Sequence, residues 1–211
     1  MLLERLELGP FASNCYILGN ESNAKEAVII DPGAEADRIL QRVDDLGLTV
    51  KFIVLTHGHI DHVGAVKEVK EATGAEVAVH SQDAPSLSRE RSSSIFGFSS
   101  PPLPPPDRLL KEGDNLIIGS HQLKVIHTPG HTPGGICLLG EGIVFTGDTL
   151  FYLGIGRTDL GGGSYDQLIT GIRDKLMVLP DSIIVYPGHG PQSTIGRERQ
   201  QNPFLQKQPG F

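Results

Sequence analysis

Along its 211 residues the chain changes hydrophobic period several times, and each change marks an element. Residues 14–18 and 27–31 are short apolar runs that read as strands, the second leading into the turn Asp31-Pro32-Gly33. Ile39, Leu40, Val43 and Leu46 then fall at helical spacing, with Gly47 placed to end that helix. A strand over 51–56 follows. The next helix carries Val63, Val66 and Val69 on one side and stops at Gly74, and 75–80 reads as a strand. The pattern breaks over 92–106, where a serine- and phenylalanine-containing stretch runs into Pro101-Pro-Leu-Pro-Pro-Pro106. Proline removes a donor and fixes φ, so this stretch is expected as a rigid loop, with a proline-rich partner motif as the other reading.

Strands return at 115–118, 121–127, 135–140 and 142–147. Ser164 to Gln167 has the form of a capping box and opens a helix with Leu168, Ile172 and Leu176 at four-residue intervals, ending at Pro180. A strand over 182–186 leads into Pro187-Gly188-His189-Gly190. Two βαβ-like halves without a linker predict one α/β domain over 1–211, with two sheets packed between outer helices.

Composition narrows the function. A net charge of −7 argues against nonspecific nucleic-acid binding, which needs a positive footprint. The first eight residues alternate leucine with charge and lack the apolar core of a signal peptide. No apolar run approaches the length of a membrane span, so a cytoplasmic chain without membrane contact is expected. Cys15 and Cys137, each among apolar neighbours, read as buried free thiols.

The chemistry concentrates where the strand over 51–56 ends. His57-Gly58-His59-Ile60-Asp61-His62 places four potential metal ligands in six residues. Imidazole and carboxylate suit zinc, iron or manganese, and the absence of thiolates points to a catalytic rather than a structural site. Three later segments share one form, an apolar strand ending in a glycine-flanked ligand. They lead to His131, Asp148 and His189. Glycine beside a ligand lets the backbone turn sharply and keeps the metal face open. His80, His121 and His127 are read as structural, with His127 a candidate to support His131.

The order THxHxDH, PGHTPG, GD, PGHG resembles the metallo-β-lactamase superfamily over essentially the whole chain. That resemblance implies an αββα sandwich of two mixed sheets between outer helices, with two metals at one edge. It further implies one metal on His57, His59 and His131, a second on Asp61, His62 and His189, and Asp148 bridging them. Two divalent cations, zinc first and iron or manganese as alternatives, would share a bridging hydroxide as nucleophile, with Asp61 also orienting it or handling its proton. Asp31 resembles the acid that hydrogen-bonds a ligand in this superfamily, and capping its own turn explains it equally.

Within the superfamily, Gly147-Asp-Thr-Leu-Phe151 and the stretch from Gly156 to Tyr165 are similar to short bacterial-type glyoxalase II. The implied reaction is hydrolysis of a hydroxyacyl-glutathione thioester such as S-D-lactoylglutathione, a small-molecule substrate. The persulfide dioxygenases, with one iron, are similar around 156–159 and form the alternative; a lactonase is the third. True β-lactamases are expected to be secreted and to differ at the second metal. Only 22 residues follow His189, so the C-terminal helical domain that grips glutathione is expected to be missing. A substitute grip is sought in Arg157, with Arg197, Arg199 and Lys207 expected as surface charges and Tyr165 expected to pack at its helix start. Phe96 and Phe98, from the 92–106 loop, are expected to roof the site.

Overall fold

A computed structural model describes residues 1–20, 25–89, 91–93, 98–100 and 102–206, with 91–93 and 98–100 as backbone only. Strands β1 (Leu2–Leu8), β2 (Ser13–Gly19), β3 (Glu26–Ile30), β4 (Thr49–Leu55) and β5 (Glu76–His80) stand side by side in one sheet. Next in the chain, β6 (Arg91–Ser93) and β7 (Phe98–Ser100) form a ribbon of their own, and β8 (Arg108–Leu110) closes the first sheet beside β5. The second sheet has the order β16-β15-β12-β11-β10-β9, built from β9 (Asn115–Ile118), β10 (His121–His127), β11 (Ile136–Gly140), β12 (Ile143–Gly147), β15 (Ile184–Pro187) and β16 (Ser193–Thr194). A small ribbon, β13 (Leu150–Phe151) with β14 (Gly154–Ile155), lies between β12 and β15 in the chain.

Period-two alternation sorts the side chains into three layers. On β2, Cys15 and Ile17 face one way and Tyr16 and Leu18 the other. Tyr16, Leu18, Val28, Val54, Val125 and Phe145 fill the space between the sheets. On the outer face of the first sheet, Ile29, Ile53 and Val79 meet Ile39 and Val43 of α1 (Ala36–Asp45). They also meet Val66 and Val69 of a second helix (Val66–Thr73). Beyond the second sheet, Cys137, Val144 and Val185 meet Leu168, Ile172 and Leu176. The result is the expected helix–sheet–sheet–helix sandwich with two mixed sheets. Cys15 and Cys137 are free, buried, and on opposite outer faces of the sheets.

Several expectations need correction. The helix predicted after His62 is two: α2 (Ile60–Val63) and α3 (Val66–Thr73). The break follows from a crossing chain. A Cβ at Gly64 would lie 2.3 Å from Gly33 O, and Ala65 N–H donates to Pro32 O at 3.0 Å instead of to a helical carbonyl. The second half is not βαβ throughout, because β9 to β12 run as an antiparallel meander and only β12 and β15 are parallel. After the short α4 (Ala84–Leu87), the 92–106 stretch is partly the β6–β7 ribbon rather than loop alone. Its proline-rich end docks on the body: Leu103 is buried and its N–H donates to Leu87 O at 2.8 Å. The helix from Tyr165 starts with Ser164 accepting from Gln167 N–H, as the capping box requires. It is α-helical as α5 (Tyr165–Gly171) and then π-helical over Ile172–Leu176, with Met177 N–H reaching back to Ile172 O. The leucine–charge alternation at the start forms the edge strand β1, and the last helix among the described residues is α6 (Ile195–Gln201). No helix among the described residues is long and apolar enough to cross a membrane.

Candidate metal centre

The candidate ligands all stand just past the C-terminal ends of strands, at one edge of the sandwich. After β4, Thr56 and His57 carry the chain over the edge, and His59 sits immediately before α2, which presents Asp61 and His62. Across the site, His131 lies in the loop after β10, Asp148 directly follows β12, and His189 follows β15. Close approach needs glycine: a Cβ at Gly188 would sit 2.2 Å from Asp148 Oδ1 and 2.8 Å from His62 Cε1.

Three groups of side chains emerge, two at the expected ligands and a third, Asp31, His57 and His62, that overlaps them. His57, His59 and His131 have their ligand atoms within 4.8 Å of one another, as do Asp61, His62 and His189. His59 Nδ1 and His131 Nε2 are 2.9 Å apart in the first group; His62 Nε2 and His189 Nε2 are 3.2 Å apart in the second. Asp148 lies between them. Its Oδ1 is 3.4 Å from His62 Nε2 and its Oδ2 is 3.5 Å from His131 Nε2. Asp61 Oδ2 lies 3.2 Å from His189 Nε2.

The outer nitrogens fix which ring atom faces inward. A carbonyl or carboxylate oxygen only accepts, so each Nδ1 that meets one must carry its proton. His131 Nδ1–H donates to Arg157 O at 2.8 Å, His189 Nδ1–H to Phe11 O at 3.2 Å, and His62 Nδ1–H to Asp31 Oδ2 at 3.0 Å. In their neutral form all three therefore aim an Nε2 lone pair into the site. Asp31 also accepts Thr56 N–H on Oδ1 and the Thr56 hydroxyl on Oδ2, and that hydroxyl oxygen lies 3.1 Å from His57 Nδ1. Asp31 reaches these partners from a left-handed backbone, φ 53°, a strained conformation that turns its carboxylate back over the strand ends. Of the two readings of Asp31, the contact with His62 places it behind a candidate ligand.

Such a cluster of inward lone pairs and carboxylates suits a cation. His57 Nε2 and Asp148 Oδ1 are buried with no hydrogen-bond partner among the described residues, a costly state for polar atoms. With only protons to share, the imidazoles split. Burial and the neighbouring imidazoles push His57 well below its usual value and His59 down to about 4. Burial also pulls on His62, but Asp148 and Asp31 outweigh it and raise it to about 10. His189 is raised against burial by Asp61 and Asp148, while His189 and His62 hold Asp61 far below the usual carboxylate range despite its burial. Neutral nitrogens and ionised carboxylates are the forms a metal takes.

The other expected residues fall away from this cluster. Arg157 points its guanidinium at Asp159 in a two-point pair at 2.7 Å and is exposed, so its contribution at the site is its backbone carbonyl. Arg197 lies over the ring of exposed Tyr152. Arg199 clasps the carbonyls of Met177 and Leu179 and pairs with Asp181, which makes it a structural clamp rather than a surface charge. Tyr165 is 48% exposed rather than packed at its helix start, because Leu168 and Ile169 take the buried face. Lys207 and Phe96 lie outside the described residues, as does the Phe98 side chain. His80 and His127 stack with centroids 4.0 Å apart, and His127 Nε2–H donates to Pro133 O beside the His131 loop. Phe151, which sequence reasoning did not single out, meets the His189 ring edge-on at 6.2 Å. Neither Phe11 O nor Arg157 O was legible, since any residue supplies a carbonyl.

The sequence model described as the metallo-beta-lactamase superfamily matches residues 8–189. Hydroxyacylglutathione hydrolase GloC of Haemophilus influenzae is 41% identical over 210 residues, covering 97% of this chain and 98% of its own. The crystal structure of BLEG-1 B3 metallo-beta-lactamase matches with a TM-score of 0.92 at 39% identity, covering 98% of this chain and 100% of that one. TTHA1623, solved in a di-iron-bound form, gives 0.86 at 37% identity, with 96% of this chain and 100% of that one covered. ETHE1 from Myxococcus xanthus gives 0.81 at 32% identity, with 96% and 84% covered.

Proposed function

The chain belongs to the metallo-beta-lactamase superfamily, and from that premise we propose that it is a two-metal hydrolase of hydroxyacyl-glutathione-type thioesters, with S-D-lactoylglutathione as substrate. The observation that carries the reading is Asp148, whose carboxylate reaches both groups of histidines, Oδ1 toward His62 and Oδ2 toward both His131 and His189. In this reading His57, His59 and His131 hold one cation, Asp61, His62 and His189 hold the other, and Asp148 serves both. Bound divalent cations supply a nucleophile from water at neutral pH and Lewis acidity at the substrate carbonyl.

The residues of the chain do the rest. Asp31, Phe11 O and Arg157 O keep three imidazoles in the tautomer that offers Nε2. Asp61, held in its ionised form beside His189, is placed to orient the nucleophile. A thiolate leaves without protonation, so this reaction calls for no strong general acid. Neither cysteine is a rival nucleophile: burial pushes the Cys137 thiol to about 11 and Cys15 well above its usual value. Zinc is the metal assigned to the ligand set, with iron or manganese as the alternatives.

The likeness to the Myxococcus ETHE1 structure keeps a second reading, a one-iron persulfide dioxygenase. Metal content measured on purified protein, alongside a panel of glutathione and coenzyme A thioesters, a lactone and a β-lactam, tests both. Two metals per chain and turnover of S-D-lactoylglutathione are expected. A single iron, with oxygen consumed on glutathione persulfide, would sink the hydrolase reading.

A further inference from the structure

Behind the first group of ligands lies a carboxylate that no motif announces. Asp83 follows β5 at the start of α4 and is 3% exposed. It makes three hydrogen bonds to two segments far apart in sequence. Oδ2 accepts Gly58 N–H at 3.0 Å and the Thr132 hydroxyl at 2.8 Å, and Oδ1 accepts Gly134 N–H at 2.6 Å. Gly58 stands between His57 and His59; Thr132 adjoins His131. All three ligands of the first group therefore hang on segments tied to this one side chain. None of those bonds reaches α2 or His189, whose supports are Asp31 and Phe11 O.

The surroundings are fitted closely. A Cβ at Gly134 would lie 2.6 Å from Asp83 Oδ1, and one at Gly58 would lie 2.2 Å from Ser86 Oγ. That Ser86 hydroxyl in turn donates to Asp83 O at 2.7 Å. An amide at 83 could not replace the acid. Whichever way it lay, its NH₂ would confront either Gly58 N–H or Gly134 N–H, and a backbone N–H cannot reverse its role.

We propose that Asp83 is a positioning residue that sets the spacing of the His57–His59 turn against the His131 loop, and so tunes the first metal position selectively. The inference rests on the two-metal reading above. Outer partners of metal ligands are worth roughly 10- to 100-fold in affinity when removed. Asp83 bonds the neighbours of the ligands rather than the ligands themselves, so Asp83→Asn is expected to weaken one equivalent by about 10-fold, the lower end of that range, and leave the other at wild-type affinity.

The test is a titration of metal-free protein with Co²⁺, read by calorimetry and by the visible d–d spectrum, with folding checked by circular dichroism. Asp83→Asn, loaded with one equivalent, should show the spectrum of singly loaded His131→Ala, in which the first position is lost. Thr132→Val, a milder change, should weaken the same equivalent, and Thr132→Ser, which keeps the hydroxyl, should restore it. Should Asp83→Asn fail to fold, the Thr132 pair carries the test. Wild-type protein that takes only one equivalent would contradict the two-metal reading itself. Wild-type protein with two equivalents, whose variants lose both together or neither, overturns the role of Asp83 alone.

Discussion

Replacing Asp31 by asparagine is expected to disable the second metal position by reversing one imidazole. Asparagine is the informative choice because it matches the shape and tolerates the left-handed backbone at φ 53°. The carboxylate accepts three hydrogen bonds, from Thr56 N–H at 2.7 Å, the Thr56 hydroxyl at 2.6 Å and His62 Nδ1–H at 3.0 Å. The amide oxygen must stay on Thr56 N–H, which can only donate. Its NH₂ then faces the hydroxyl, which can turn, and His62 Nδ1, which must become an acceptor. The ring proton moves to Nε2, the atom 3.2 Å from His189 Nε2 that the metal requires. Losing such an outer partner costs about 10- to 100-fold in metal affinity, or about 1.4–2.7 kcal/mol. The metal-free protein also loses a hydrogen bond to a charged group, about 1.5–3 kcal/mol. Metal titration by calorimetry and urea unfolding of the metal-free protein read the two effects separately. Two equivalents bound at wild-type affinity by a folded variant would refute the tautomer argument.

Asp148→Asn leaves one acceptor oxygen where two reach toward His62 and His131 at 3.4 and 3.5 Å, so both equivalents should weaken; retention of two tightly held metals after dialysis, by elemental analysis, would contradict a shared ligand. The metal-free protein should also lose stability as pH falls below about 6.5, the ordinary histidine value. There the unfolded chain takes up protons that His57 and His59 refuse in the folded state, His59 down to about 4. His62 and His189, held above their usual value, oppose this loss near pH 6.5, and their opposing slope fades as the unfolded chain becomes fully protonated below about pH 5.5. The loss is about 1.4 kcal/mol per pH unit for buried His57 and less for the partly exposed His59. Urea midpoints that stay flat from pH 6.5 to 5 would count against this.

The sequence exposed the two sheets well where alternation was local. Strands 115–118 and 121–127 coincide with β9 and β10, because each residue's face is decided by its immediate neighbours. It could not show the break between α2 and α3, which depends on Gly33 arriving from 31 residues away to occupy the space beside Gly64. The candidate ligands were legible because histidine and aspartate beside glycine after an apolar strand are rare company. Their supports were not. Asp83 looks like any acid after a strand until Gly58, Thr132 and Gly134 close around it. The leucines of β1 were passed over because their interspersed charges resemble a surface segment, whereas an edge strand leaves such charges exposed.

Each of the two proposed ligand groups draws on both sheets. His57, His59, Asp61 and His62 follow β4, while His131, Asp148 and His189 follow strands of the other sheet. Neither half of the chain therefore owns either of the two proposed ligand sets. A cation at this edge is held tightly only while the two layers are docked, so metal affinity becomes a gauge of their docking, and docking a gauge of the metal. Two fragments, divided between the layers, would find in the cation a template for reassembly. By the same reciprocity, a substitution deep between the sheets, far from any ligand, would register as a weaker grip on the metal.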